Sequence, residues 1–306
     1  MKIVFMGTPD FAVPCFEALV KSEYDIIGVF TNPDKKKGRG YAVSMPPVKE
    51  TALLNGVKVF QPKTLRSDES YEILKELAPD LIVVVAYGKI LPKNILELPP
   101  MGCINVHGSL LPKYRGAAPI QWSIINGEEI TGITTMYMNE GLDTGDMLLQ
   151  EEVSIGENET SGELFDRLCK VGSELLIKTI KGIEKGSIKR VKQRDEEATY
   201  APMLTKEISR IDWTKNARDI HNLVRGLNPW PKAFTMLDGK VLKIYKTNVL
   251  QNVIGKPGEI KSLDPFIVCC GDGNAIKILE LQFDSRKRMR AEDFFRGYKN
   301  RKINFG

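Results

Sequence analysis

The sequence predicts an α/β fold: a doubly wound, mostly parallel sheet of Rossmann-like type, followed by a small OB-like β-barrel. Over the first 150 residues, strand and helix patterns alternate, as expected for a parallel sheet covered by helices. The continuous apolar run at residues 80–86 suits a strand buried on both faces. After residue 231, short strand patterns are separated by turn signals, which indicates a small barrel.

The pattern of each segment assigns its element. Apolar runs and apolar–polar alternation predict strands at residues 2–7, 25–30, 57–60, 80–86, 104–107, 131–138 and 146–154. Helical patterns predict helices at residues 9–20, 47–54, 70–77, 118–126 and 217–226. Apolar residues recur on one face over residues 160–184, which predicts a long amphipathic helix.

Composition divides the 306 residues, enough for two globular domains, into three parts. Residues 186–208 are polar and lack clear periodicity, as in a linker. We predict a first domain over residues 1–189, a linker over 190–208 and a basic β-barrel domain over 209–306.

No apolar run could span a membrane and residues 1–7 lack signal-peptide features, so a cytoplasmic location is expected. The five cysteines form no Cys-x-x-Cys, so neither a disulfide framework nor a zinc site is expected.

The net charge of +5 is unevenly distributed. From residue 209 onward, 19 Lys and Arg residues stand against 10 Asp and Glu residues, a local charge of +9 that leaves −4 for the rest. Such asymmetry favours an anionic partner for the second domain, with nucleic acid the leading candidate. A merely solvated lysine-rich surface fits the charge equally well.

One of the two histidines of the chain ends a predicted strand. Asn105 and His107 are two residues apart, so they share one face of the strand, at the edge where doubly wound sheets bind ligands. An Asn amide can donate to a developing oxyanion and a histidine can move a proton. From these two residues alone, a pair satisfied by backbone groups is the better interpretation. The long Gly- and Pro-containing loop over residues 108–119 shifts the balance towards a site.

A tight loop at residues 141–146 adds a candidate carboxylate. Asp143 could reach the histidine and orient its ring, whereas an Asx turn would fit Asp146 better; the spacing does not choose between them. After the first strand, the turn at Gly7 lacks the Gly-x-Gly-x-x-Gly pattern and no Walker loop is present, which argues against a dinucleotide cofactor.

Three motifs together resemble the 10-formyltetrahydrofolate-dependent formyltransferases. They are Asn-Val-His-Gly-Ser-Leu-Leu-Pro at residues 105–112, Arg-Gly-Ala-Ala-Pro-Ile-Gln at 115–121 and Gly-Leu-Asp-Thr-Gly-Asp at 141–146. The similarity extends from residues 6–11 to 228–231. It implies a 10-formyltetrahydrofolate donor, an acceptor amine on the methionine of initiator tRNA, and no metal. It also implies a monomer.

The resemblance assigns roles to the site residues. Asn105 would donate to the oxyanion, and His107, helped by Asp143, would stabilise its charge and assist proton transfer. Either of these groups or a water molecule would take the proton of the amine. The folate site would be lined by Ser109, Leu110, Leu111 and Pro112.

Two basic clusters gain a role from the same resemblance. The loop with Lys35, Lys36, Lys37 and Arg39 matches an insertion that meets the tRNA acceptor end in the family. A track formed by Arg286, Lys287 and Arg288 would extend this contact. A solvated charge run is the alternative for the first cluster, and an exposed hairpin or helix start is the alternative for the second. Trp230 and His221 are expected to have packing or structural roles.

Alternative functions keep part of this pattern. A formyltransferase for a small amine, such as a glycinamide ribonucleotide or an amino-sugar nucleotide, would keep the Asn, His and Asp residues but would not need the basic clusters. An RNA-binding protein with a decayed site would not need the triad. A formyl-folate hydrolase would be expected to carry a regulatory domain before the first strand.

Overall fold

The computed structural model describes residues 1–37, 42–296 and 305. The chain forms two compact units, and each combines separate stretches of sequence. The first unit comprises Met1–Gly116, Gly132–Val153 and Phe165–Tyr200, and the second comprises Ala117–Thr131, Ser154–Leu164 and Ala201–Gly306. The predicted domain boundaries at residues 189 and 208 remain predictions.

The secondary structure alternates as expected in the first half and becomes strand-rich in the second. In the described part of the chain the strands are β1 (Lys2–Gly7), β2 (Asp25–Phe30), β3 (Lys35–Lys37), β4 (Ala42–Ser44), β5 (Val59–Phe60), β6 (Leu81–Val85), β7 (Cys103–His107), β8 (Arg115–Gly116), β9 (Ile130–Tyr137), β10 (Met147–Ser154), β11 (Tyr200–Ala201), β12 (Phe234–Leu237), β13 (Lys240–Leu250), β14 (Ile260–Leu263), β15 (Phe266–Cys269), β16 (Ala275–Phe283) and β17 (Met289–Arg290). The helices of the same ranges are α1 (Val13–Val20), α2 (Pro47–Leu54), α3 (Asp68–Leu77), α4 (Lys93–Leu96), α5 (Pro119–Ile125), α6 (Ser161–Glu184), α7 (Ala217–Gly226) and α8 (Ala291–Phe295). Short 3-10 turns cover Asp10–Ala12, Asp195–Glu197 and Glu207–Ser209.

A seven-stranded sheet forms the centre of the first unit, in the order β10-β9-β7-β6-β1-β2-β5. Strand β1 pairs in parallel with β2 and β6, and β6 pairs in parallel with β7, whereas β9 runs antiparallel to β7. All five residues of β6 are buried, because a central parallel strand is covered on both faces. The predicted doubly wound, mostly parallel sheet is confirmed.

The strand order reverses beside β1, where ligand crevices form in such sheets. At this edge the Thr8 hydroxyl donates to the carbonyl oxygen of Tyr87, and the Asn32 amide donates to the same oxygen. These contacts hold together the loops that leave β1, β2 and β6. The carboxyl edge of the sheet is therefore ordered around the switch point.

Several helix boundaries differ from the sequence pattern because of local backbone chemistry. The helix expected from residue 9 begins as a 3-10 turn and becomes α-helical at Val13, with Pro14 in the first turn, where its missing N–H costs no hydrogen bond. Helix α3 starts before residue 70 because the Ser67 side chain caps it by accepting from Ser70 N–H.

The segment expected to be a linker is bound to the first unit by individual hydrogen bonds. Val191 exchanges two backbone bonds with Met147, and the Arg115 N–H donates to the carbonyl oxygen of Thr199. Backbone hydrogen bonds of this kind do not require apolar residues at regular spacing. The polar sequence of this segment therefore predicted a linker.

The second unit is built on an antiparallel sheet in the order β12-β13-β16-β15-β14, with β17 paired to β16. This sheet curls into a half-barrel that stays open, because the described strands at the two ends of this path, β12 and β14, are not paired with each other. Aromatic contacts fill its core: the ring centroids of Phe266 and Phe295 are 4.3 Å apart, and those of Phe294 and Phe295 are 4.9 Å apart. The predicted barrel-like second architecture is confirmed in this open form.

Helices α5 and α7 pack closely within the second unit. A Cβ atom at Gly226 would lie 2.6 Å from Ile125 Cγ1, so the contact requires a glycine. None of the described helices is long and apolar enough to cross a membrane.

Candidate active site

The end of β7 presents an amide and an imidazole on one face. Asn105 lies opposite Met136 and His107 opposite Thr134 of β9, and the strand ends at the next glycine. Asn105 is half-buried, and within the described ranges its side chain has no hydrogen-bond partner. Its N–H groups are therefore free to bind a substrate oxygen.

His107 lies between two acceptor oxygens. Its side chain is only 6% exposed. Its Nε2 donates to the carbonyl oxygen of Tyr114 over 2.9 Å, and its Nδ1 lies 3.7 Å from Oδ2 of Asp143. The first distance is a hydrogen bond and the second is slightly too long for one. A proton taken up at Nδ1 would meet a carboxylate.

The loop before β10 orients Asp143 towards the histidine. Asp143 has a φ of 53°, a left-handed conformation that costs a non-glycine residue about 1 kcal/mol. Its Oδ2 accepts the Gly116 N–H over 2.9 Å. Asp146, by contrast, accepts the Tyr137 N–H through its backbone carbonyl. The geometry thus brings Asp143 to His107, a choice that the spacing left open.

The loop over residues 109–112 is shaped by side chains of β9 and β10. The Thr134 hydroxyl donates to the Ser109 carbonyl oxygen and accepts the Leu111 N–H. Gln150 donates to the carbonyl oxygen of Leu111. The Ser109 hydroxyl donates within the loop to the Lys113 carbonyl oxygen and is fully buried, so it shapes the loop. Leu111 is also buried, whereas Leu110 and Pro112 are partly exposed.

Two further buried residues support the Asp143 loop. The Gln193 side chain donates to the carbonyl oxygens of Asp143 and Gly145, each over 2.8 Å. Its Oε1 accepts from Nε of the buried Arg115. The sequence predicted no role for either residue: Arg115 belongs to the motif at residues 115–121 without a role of its own, and no local pattern indicates Gln193.

Comparison with known proteins decides the family. The family model described as formyl transferase matches residues 1–180, and the model of the formyl transferase C-terminal domain matches residues 203–299. The methionyl-tRNA formyltransferase of Acetivibrio thermocellus is 53% identical over 98% of this chain and 97% of its own length. That of Alkaliphilus oremlandii is 56% identical over 97% of this chain and 96% of its own. The chain belongs to the formyl transferase family, in its methionyl-tRNA formyltransferase group.

Solved structures share the formyl transferase fold. The N-formyltransferase from Helicobacter canadensis, in complex with folinic acid and dTDP-3-aminofucose, superposes with a TM-score of 0.69 at 22% identity. The match covers 91% of this chain and 98% of that chain. At this identity the likeness concerns the fold alone.

The three lysines of the first basic cluster in this formyl transferase lie on one strand of an antiparallel pair, which we call the basic hairpin, and not in an irregular loop. Strand β3 pairs with β4, with Lys35 opposite Ser44. Lys35 is exposed and lines a cavity of about 350 Å³ together with Thr8, Asn32 and Ser44. Lys36 and Lys37 continue β3. Arg39 lies outside the described residues.

The base of this hairpin is held by an ion pair. Lys49 Nζ lies 2.7 Å from an Asp34 carboxylate oxygen, and the Gln61 amide donates to the same carboxylate. These hydrogen bonds from Lys49 and Gln61 keep the pKa of Asp34 below its ordinary value. The start of the basic strand is therefore anchored.

The second basic cluster is exposed and partly used within its own unit. Arg286, Lys287 and Arg288 precede β17, so the run forms the hairpin that the sequence left as an alternative to a binding track. Arg288 Nε donates to Glu280 over 2.7 Å, and its guanidinium lies 4.5 Å from the Tyr245 ring centroid. All three residues are exposed, and within the described ranges the side chains of Arg286 and Lys287 form neither an ion pair nor a hydrogen bond.

The two remaining candidates have different outcomes. The structural role expected of His221 is confirmed, because the residue is buried and both ring nitrogens are hydrogen-bonded, to Thr247 Oγ1 and to the carbonyl oxygen of Glu157. The packing role expected of Trp230 is wrong, because 58% of the residue is exposed. It lies just after α7 between Pro229 and Pro231, where the chain turns at the surface.

Proposed function

We propose that this formyl transferase moves the formyl group of 10-formyltetrahydrofolate to the α-amino group of methionine on initiator tRNA. The observation that carries the proposal is the cluster at the end of β7. There the Asn105 amide has no partner among the residues that the structure describes, and His107 Nδ1 lies 3.7 Å from Asp143. The high identity to methionyl-tRNA formyltransferases over nearly the whole chain supports the acceptor.

Asn105 is assigned to the oxyanion. When the amine nitrogen forms a bond to the formyl carbon, the formyl oxygen gains negative charge. A preorganised amide N–H directed at that oxygen stabilises the tetrahedral state, and such donors are worth about 100- to 1000-fold in rate. Asn105 suits this role because no other described group occupies its amide.

His107 and Asp143 are assigned to charge and proton handling. The attacking amine must lose one proton, and the departing N10 nitrogen of the folate must gain one when its bond to the formyl carbon breaks. His107 has its Nε2–H committed to Tyr114, so Nδ1 is the position that accepts and returns a proton. The Asp143 carboxylate stabilises the transient positive ring.

The donor is assigned to the loop over residues 109–112 and to the neighbouring Asp143 loop. Leu110 and Pro112 offer partly exposed apolar surface, and Leu142 is 64% exposed next to Asp143. A flat, partly apolar pterin ring suits such a surface together with the backbone groups of the two loops. Ser109 and Leu111 support this site from within the loop.

The acceptor is assigned to the two basic clusters. Lys35, Lys36, Lys37 and Arg39 would contact phosphates near the acceptor end of the tRNA, and the cavity beside Lys35 offers room for a terminal group. Arg286, Lys287 and Arg288 would extend the electrostatic contact. We further propose that the enzyme acts as a monomer in the cytoplasm.

A formyl-transfer assay with labelled initiator and elongator Met-tRNA tests this proposal. Formylation confined to the initiator tRNA in the presence of 10-formyltetrahydrofolate supports it. Transfer only to a small amine, such as an amino-sugar nucleotide, would overturn the acceptor assignment. Tight tRNA binding without transfer would overturn the enzymatic assignment.

A further inference from the structure

We infer that the segment over residues 193–199, through Gln193 and Thr199, positions both partners of His107, an inference that rests on the roles proposed above for His107 and Asp143. The segment lies in the stretch whose sequence resembles a linker. It holds Asp143 on one side of the imidazole and Tyr114 on the other. We call it the bracing segment.

Gln193 holds the Asp143 loop with a bonding pattern that only an amide can supply. Its Nε2 donates to the carbonyl oxygens of Asp143 and Gly145, and its Oε1 accepts from Arg115. The residue is only 6% exposed. A glutamate here would direct a carboxylate oxygen at two carbonyl oxygens, which repel it, so the site distinguishes Gln from Glu.

This hold decides where the Asp143 carboxylate points. The two carbonyl groups bound by Gln193 flank Thr144, immediately after the left-handed Asp143. Strained single-residue conformations persist only where surrounding contacts fix them. With that turn fixed, the carboxylate reaches both the Gly116 N–H and the histidine ring.

Thr199 holds the other partner. Its Oγ1 accepts the Tyr114 N–H over 2.9 Å, and its carbonyl oxygen accepts the Arg115 N–H over 2.9 Å. Tyr114 is itself left-handed, with a φ of 61°, and its carbonyl oxygen accepts from His107 Nε2. The bracing segment therefore fixes the acceptor that sets which ring nitrogen carries the proton.

Arg115 links the two sides. Its buried guanidinium joins Gln193 to the exposed Asp195, 2.9 Å away. Its chain neighbours are Tyr114, which binds His107, and Gly116, which binds Asp143. A change at Gln193 is thus transmitted to both sides of the imidazole.

The test uses the whole enzyme with Gln193→Leu and Gln193→Glu, and with Thr179→Val as a matched control. Thr179 is also a buried hydrogen-bonding residue of the first unit, and it binds Thr135 and Leu175. We expect kcat to fall by about 10- to 100-fold in the Gln193 variants, since a small misplacement of catalytic groups has this effect. The KM for tRNA should change less than about two-fold. The control should lose thermal stability while keeping its kcat.

A second measurement does not depend on turnover. The chain has two histidines, so labelled histidine gives two sets of ring nitrogen resonances, assigned with His221→Gln. In the Gln193 variants the His107 resonances should shift while those of His221 stay in place. If Gln193→Leu prevents folding, Thr199→Val serves, because it removes one acceptor from an exposed residue; it should shift the same resonances.

The outcomes separate the two proposals. Unchanged His107 resonances, or a Gln193→Leu enzyme with normal kcat and only reduced stability, would overturn the positioning role. If His107→Ala also keeps full activity, the proposed catalytic assignment fails first, whatever the Gln193 variants do.

Discussion

The two histidines of this chain occupy similar burial but opposite chemical settings. His221 lies on α7 of the second unit. Its Nδ1 accepts a hydrogen bond from the Thr247 hydroxyl, and its Nε2 donates one to the Glu157 carbonyl oxygen. His107, in the first unit, donates from Nε2 to Tyr114, and its Nδ1 faces a carboxylate beyond hydrogen-bond distance.

The difference shows how hydrogen-bond partners separate a structural histidine from the one proposed to move protons. The neutral ring of His221 satisfies both of its neighbours, and burial holds its pKa below the ordinary value, helped by the charges of Arg225 and Arg218 against the opposing Glu157. A proton added at its Nδ1 would face only the neutral hydroxyl of Thr247. A proton added to His107 at Nδ1 finds Asp143. Burial alone, at 2% and 6% exposure, does not separate the two.

Removing the imidazole rings of His107 and His221 one at a time is the strongest test of this difference. We expect His107→Ala to lower kcat by about 100- to 10,000-fold, the range for general acid–base groups, with little change in folding. His221→Gln should retain turnover. Single-turnover formyl transfer with circular dichroism as a folding check measures both; equal losses in the two variants would contradict the distinction.

Removing the amide beside His107 tests whether that strand end is one site. We expect Asn105→Ala to lower kcat by about 100- to 1000-fold with a small effect on the KM for folate, because the bond forms to the developing oxyanion. Asn105→Asp should be at least as damaging, since a carboxylate repels that oxygen. A loss confined to KM would assign Asn105 to binding.

Variants of the basic hairpin separate an effect on tRNA binding from an effect on catalysis. Replacing Lys35, Lys36, Lys37 and Arg39 by Ala should raise the KM for tRNA by about 10-fold and flatten its salt dependence, because phosphate contacts release counterions. The KM for folate should not change. A matched control removes four exposed lysines, three on α6 and one directly after it, namely Lys170, Lys178, Lys181 and Lys185. An equal effect in the control would point to net charge alone.

The smallest expected effect concerns stability at His221. Because its pKa is lowered in the folded state, the unfolded chain takes up a proton first as the pH falls below the ordinary value of about 6.5. The free energy of unfolding should therefore decline below that pH, by at most about 1.4 kcal/mol per pH unit from this group. His221→Gln should show a shallower decline in urea unfolding between pH 7.5 and pH 5. An unchanged slope would contradict the assignment.

Short-range patterns sufficed for the part of the site that lies on a strand. The period of two placed Asn105 and His107 on one face, and the parallel sheet placed that face at the carboxyl edge. The apolar periodicity of residues 160–184 likewise predicted α6 to within one residue.

The rest depends on contacts that leave no local signal. Gln193 acts on Asp143 from 50 residues away, and Thr134 shapes the loop over residues 109–112 from β9 through a single hydroxyl. The choice between Asp143 and Asp146 is made by such side-chain bonds to the backbone. A polar residue in a polar stretch gives no sign of them.

The discontinuity of the second unit has a consequence for biosynthesis. Helix α5 is translated with the first half of the chain, yet its close neighbour α7 and the half-barrel core come from residues beyond 200. On the ribosome, at least 90 further residues must therefore be translated after α5 before α7, against which it packs, has been made. A fragment starting at residue 201 would lack α5 altogether and expose the surface around Gly226. Chaperone capture of nascent chains should accordingly be concentrated in this interval of translation.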